Sequence, residues 1–186
     1  MKLALLLICF STVASAQTEP EIRKYYQETN ARIEESMEQG FEGPLYHNRW
    51  IVNGTGKSWP AVGRYADTAD FWYDQPPDHL PATERDPKKV LLKVVVNRVS
   101  SHYHRHEEYL FKNGLLIFYF ANEAEEGHGW ETRAWFNAKG VIRTNVRVNE
   151  LEITAKDLEY KDVAPDLTEI RKNAKDYQDL FVKSML

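Results

Sequence analysis

The stretch HYHRHEEYLFKNGLLIFYFANE, residues 102–123, reads as two strands joined at Asn113-Gly114. Asn-Gly is a strong hairpin signal, because both residues tolerate the positive φ that a two-residue type I′ turn demands. Such a turn sets the pairing outward from Lys112 opposite Leu115. Glu108 then meets Tyr119, His106 meets Ala121, His104 meets Glu123 and His102 meets Glu125. Alternate strand residues share a face. One face therefore presents His102, His104, His106, Glu108, Glu123 and Glu125. The other presents Tyr103, Tyr109, Phe111, Leu116, Phe118 and Phe120 as the core side, with Arg105 and Glu107 pairing at its rim.

Strand signals extend in both directions from this hairpin. VLLKVVVNRV (90–99) is rich in β-branched residues and reads as a central strand. VGRYADTADFWYD (62–74) and HNRWIVN (47–53) precede it, and the breaker-rich segment from Gln75 to Lys89 separates the first of these from it. A loop of that length is either functional or mobile. ETRAWF and VIRTNVRV form a second hairpin around Asn137-Ala138-Lys139-Gly140, where Gly140 suits a type I turn closed by a bulge. Helices flank the strands. Thr18 and Glu21 make a capping box ahead of Ile22, Tyr26, Ile33 and Met37, and Gly40 ends the run. Asp166 and Glu169 repeat the pattern ahead of Leu167, Ile170, Ala174, Tyr177 and Phe181. The expected fold is α+β: one antiparallel meander with one face covered by the N- and C-terminal helices.

Residues 1–16, MKLALLLICFSTVASA, have the form of a cleavable signal peptide: Lys2, a short apolar run, then Ala14-Ser15-Ala16. The run is too short to cross a bilayer, which takes roughly 20 residues. Residues 17–186 then form a single domain, periplasmic or secreted, with no transmembrane segment. Cys9, the one cysteine, lies in the leader, so the domain carries no disulfide and no thiol chemistry. A chain of this size buries roughly 70% of its unfolded surface, enough for a core without cross-links. The formal net charge is −4 and becomes one unit more negative without Lys2. With no basic stripe, nucleic acid is excluded as an expected partner.

The aromatic-turn-Gly hairpins YLFKNGLLIFYF and AWFNAKGVIRTN, after an N-terminal helix and GPLYHNRWIVNGTGKSWPAVG, resemble a group of small uncharacterised secreted or periplasmic bacterial proteins. That resemblance implies location and fold, and brings no activity or site residue.

Two candidate sites follow, and one motif is set aside. His102, His104 and His106 with Glu123 and Glu125 form a donor set suited to zinc, and hence to a metal-dependent hydrolase. The plainer reading of the same set is solvated histidines paired with glutamates on an exposed face. Trp59 and Trp130, in expected loops, are candidate ligand contacts, whereas Trp50, Trp72 and Trp135 read as core. GTGKS (54–58) is a turn rather than a phosphate loop, since Ile51 stands where the first glycine would be and Trp59-Pro60 where a helix would begin. No nucleophile elbow is present. The leading expectation is a binding or interaction module, with no cofactor required, for a glycan, a peptide or a cell-envelope protein.

Overall fold

The structure, a computed structural model, describes residues 17–60, 63–76, 86–125, 128–153 and 164–185. The leader and the middle of the Gln75–Lys89 segment lie outside the described residues. Helix α1 (Glu19–Gln39) is followed by a 3-10 turn at Gly40–Glu42. Strands β1 (Tyr46–Val52), β2 (Tyr65–Tyr73), β3 (Leu91–Ser100), β4 (Tyr103–Lys112), β5 (Leu115–Glu125), β6 (His128–Asn137), β7 (Gly140–Val148) and β8 (Leu151–Glu152) come next, and helix α2 (Leu167–Ser184) closes the chain. The strands form one antiparallel sheet in sequential order, the expected meander.

Both helix starts are capped as their sequences require. Thr18 N–H and Oγ1 donate to Glu21, at 2.7 and 2.8 Å. Asp166 accepts from the backbone N–H of Thr168 and Glu169. The helices, however, lie on opposite faces of the sheet rather than sharing one. Phe71, Tyr73, Val94, Tyr109, Phe111 and Phe136 pack with Ile170, Ala174 and Phe181 of α2. Their strand neighbours Trp72, Leu92, Leu110 and Trp135 pack with Ile22, Tyr25, Tyr26 and Ile33 of α1. Consecutive bulky residues such as Phe71-Trp72-Tyr73 point to alternate faces, so neither face can be left to solvent. Trp50 departs from the core expectation and is 43% exposed, because β1 is an edge strand with little above it.

The hairpin at Asn113-Gly114 forms, with φ of +51° and +78°. Its register differs from the simple count. Lys112 pairs with Leu115 and Phe111 with Leu116, but Leu110 pairs with Phe118, leaving Ile117 as an extra residue in a bulge. Ile117 and Phe118 both pack with the α1-side core. Beyond the bulge every β5 side chain is displaced by one position relative to β4. Phe118 and Phe120 consequently sit on the α1 face, opposite Tyr109 and Phe111.

The turn after α1 is fastened by close backbone approach. Ser36 Oγ donates to Arg32 O at 2.8 Å and accepts from Leu45 N–H at 3.0 Å. A Cβ on Gly43 would lie 2.5 Å from Ser36 Cα. Gly43→Ala should therefore cost about 1–3 kcal/mol, read by urea unfolding, even though its φ of −68° suits alanine. An unchanged midpoint would show that this turn is free to move away from α1.

Candidate functional site

The bulge in β5 disperses the residues that the sequence pattern groups. Arg105, not His104, stands opposite Glu123, and Tyr103, not His102, stands opposite Glu125. Glu123 accepts from Tyr103 Oη at 3.0 Å and lies 3.4 Å from Arg105, on the α2 face. His104 and His106 point to the α1 face, and His102 lies exposed in the bend before β4. Glu125 is exposed at the strand end, opposite His128 as well as Tyr103. No group of three or more His, Cys, Asp or Glu side chains among the described residues is placed to hold a metal ion. The five proposed zinc donors therefore do not converge. Trp59 and Trp130 are 51% and 37% exposed. Trp59 leans on Tyr65, and Trp130 stacks on His128. Both lie at the same end of the sheet, but β3, β4 and β5 separate them at about 4.8 Å per strand. They form no joint surface.

Glu107, expected at a rim, is fully buried. Its Oε1 accepts from Tyr109 at 2.9 Å, Tyr119 at 2.8 Å and Arg105 at 2.9 Å, while Arg98 stands 3.7 Å from Oε2. Burial, reinforced by Glu107, pushes the Tyr109 and Tyr119 hydroxyls far above their ordinary range. This network is enclosed within the α2 side of the sheet and serves the fold.

The more open chemistry lies on the α1 face. Between the C-terminal half of α1, the turn at Gly40–Glu42 and the floor of β1 to β4 is a groove of about 1100 Å³. Two polar assemblies make its floor, linked by one cross-strand row: Arg49 opposite Asp70, Asp70 opposite Val95, Val95 opposite Glu108. In the first assembly, Asp70 is 5% exposed and lies 2.6 Å from His47 Nε2. It accepts from Arg49 Nε at 2.6 Å and Nη2 at 3.1 Å. The His47 ring stacks on Trp72 at 4.2 Å. Burial alone would raise the Asp70 carboxyl, but His47 and Arg49 hold it below its ordinary value.

In the second assembly, Lys93 is 3% exposed. Its ammonium lies 2.8 Å from Glu108 Oε2, donates to Asn30 Oδ1 at 2.7 Å and sits 4.7 Å above the Tyr26 ring. Tyr26 donates to the same Glu108 oxygen at 2.6 Å, and His106 Nε2 lies 3.1 Å from the other. Burial lowers the Lys93 pKa against the pull of Glu108. Burial works to raise Glu108, yet His106, Lys93 and Tyr26 hold it down at about 2. Burial and Glu108 together push Tyr26 up to about 12.

The rim is apolar, with Phe41 98%, Met37 71% and Tyr46 47% exposed. Among the described lining residues, carboxylates outnumber fixed cations: Glu34, Asp70, Asp74 and Glu108 against Arg49 and Lys93. Burial raises the Asp74 carboxyl above its ordinary value. The groove thus offers an apolar lip, an aromatic wall and a rigid floor of preset dipoles with an excess of negative charge.

Sequence patterns passed over this site. Its one signal was a lone charge inside each apolar run, Asp70 in DFWY and Lys93 in LLKVVV, which burial permits only when the charge is paired. No protein-family model, no curated protein and no solved structure matches the chain.

Proposed function

We propose that the protein is an exported binding module whose ligand occupies the groove between α1 and strands β1 to β4. The observation that supports this most is a 1100 Å³ groove with an exposed apolar rim above a buried, already satisfied polar floor. Small-molecule sites combine apolar lining with a few fixed polar groups in this way. Because Asp70 and Glu108 are held by neighbours, the floor needs little reorganisation on binding. The excess of carboxylates favours a ligand with an apolar body and an amine or hydroxyl head. A peptide N-terminus and an amino sugar both have that chemistry, which narrows the glycan and peptide classes suggested by the sequence. Export rests on the leader-like residues 1–16. No helix among the described residues is long and apolar enough to cross a membrane.

The test is a thermal-shift screen of amino sugars, neutral oligosaccharides and short peptides with free or acetylated N-termini. A ligand that binds only the native state at a hundred times its Kd adds about 2.7 kcal/mol of stability. Phe41→Ser and Tyr46→Ser, both at exposed positions, should each weaken a genuine hit by about tenfold, the effect of a lost apolar contact of some 1.4 kcal/mol. A ligand that shifts wild type and both variants equally would place binding elsewhere. Cell fractionation should recover the protein outside the cytoplasm with its N-terminus at Gln17, and recovery only from the cytoplasm with Met1 intact would remove the export part of the proposal.

A further inference from the structure

The other flank of α1 has a second cleft, of about 490 Å³. Its floor is aromatic, with Phe118 and Phe120 of β5 beside Trp135 of β6, and Tyr26 closes the α1 side. Its polar lining contrasts with that of the groove. Arg23, Arg133 and Arg147 contribute, and no carboxylate is among the described lining residues. The surrounding ion pairs leave the excess in place. Glu131 lies 2.7 Å from Arg133 and 3.7 Å from Arg147. Glu19 lies 2.6 Å from Arg23 and 3.5 Å from Arg143. Among the described residues four guanidinium groups therefore share two carboxylates within ion-pair distance, and Glu152, opposite Arg147 on β8, is engaged by Asn145 instead, in a chain whose net charge is negative.

Arginines often cover aromatic rings simply to shield them from water. That accounts for Arg23 and Arg143 over Trp135, at 4.8 and 5.8 Å, and for Arg133 over Phe120 at 5.4 Å. It does not account for Arg147, which stacks on no aromatic ring among the described residues. The Arg147 Nε is buried and has no hydrogen-bond partner among the described residues. A buried donor left unpaired costs free energy, and a guanidinium fork is matched by a two-oxygen anion.

We infer that this cleft binds an amphipathic anion, with a carboxylate, sulfonate or phosphate head on Arg133 and Arg147 and an apolar body against Phe120 and Tyr26. The two flanks of α1 then select ligands of opposite charge, and occupation of one does not require the other.

Three probes test this on the full domain: 8-anilinonaphthalene-1-sulfonate as an aromatic anion, dodecanoate as an aliphatic one, and N-phenyl-1-naphthylamine as a neutral isostere of the first. Saturable binding of either anion is expected, weakening as salt rises, and which of the two binds identifies the apolar body. Arg133→Gln/Arg147→Gln should weaken it roughly tenfold to a hundredfold, as expected for lost hydrogen bonds to charged groups. Lys24→Gln/Lys172→Gln, at two exposed helix positions, should leave it unchanged. The salt dependence is read on wild type, so a poorly folding double variant does not leave the matter open. The inference fails if neither anion binds, if the neutral probe binds as well as the sulfonate, or if high salt and a folded double variant leave anion affinity intact.

Discussion

Glu107→Ala is expected to remove about 3–5 kcal/mol of folding stability, the usual toll for deleting one partner of a buried ion pair. Glu107 is fully buried and accepts three hydrogen bonds through one oxygen. Its loss strips Tyr109 and Tyr119 of an acceptor within the core. It also leaves Arg98 and Arg105 with Asp67 and Glu123, at 3.9 and 3.4 Å, as their remaining carboxylates among the described residues, beside the hydroxyls of Tyr177 and Tyr119. The two arginine side chains are 35% and 24% exposed, so water recovers part of the loss and the value belongs toward the lower end of that range. Glu107→Gln keeps an oxygen acceptor for the tyrosines and should cost less than the alanine variant. Urea unfolding followed by tryptophan fluorescence reads both, provided the m-value is unchanged. A deficit below about 1 kcal/mol for alanine would mean that the network adds nothing net to the fold.

Lys93→Ala should produce a loss of similar size near neutral pH, since it leaves Glu108 buried without its ammonium partner. The pH dependence separates this from simple loss of packing. Folding takes the Glu108 carboxyl from an ordinary 4.5 to about 2. A depressed carboxylate pKa contributes stability that is fully present above the unfolded value and is lost as pH falls through the folded one. Removing Lys93 moves the folded value back upward. The gap between wild type and variant should accordingly be full above about pH 4.5 and close progressively toward pH 2. A gap independent of pH across that window would assign the loss to the missing alkyl chain. Tyr26→Phe provides a milder companion, since it removes one donor to Glu108 and retains the ring beneath Lys93.

Local signals account for much of the architecture. The capping box at Thr18, the N-cap at Asp166, Asn113-Gly114 and the Asn137–Gly140 turn each act over a few residues, and each appears in the structure where the sequence places it, although Asp166 caps alone, without the reciprocal bond from Glu169. Asn137 illustrates the reason: its own Oδ1 accepts from the backbone N–H of Lys139 and Gly140, so the turn needs no distant partner. The β4–β5 and β6–β7 pairings follow from these turns, because so short a connection leaves antiparallel neighbours as the only pairing.

Two decisions were made by tertiary packing. The first is which face each helix covers. Its trace in the sequence is the run of adjacent bulky residues at Phe71-Trp72-Tyr73 and Leu91-Leu92, which need apolar cover on both sides. An amphipathic helix pattern specifies that a face is buried and not which face of the sheet receives it. The second is the register beyond Leu110. Placing Ile117 and Phe118 together under α1 fills the space around Ile22 and Trp135, and the pairing gives up one residue to achieve it. That bulge moved Glu123 away from the histidines and brought Arg105 against it.

The groove depends on the same packing. His47, Asp70, Lys93, Glu108 and Tyr26 come from four strands and a helix, and no spacing rule within one segment links them. Local sequence accounts for the two helices, the strands and the two tight hairpins, since those are enforced by hydrogen bonds and dihedral preferences a few residues apart. The bulge, the assignment of helices to faces and the opposite charge of the two α1 flanks were decided only in the folded chain. They depend on how side chains distant in sequence share one volume.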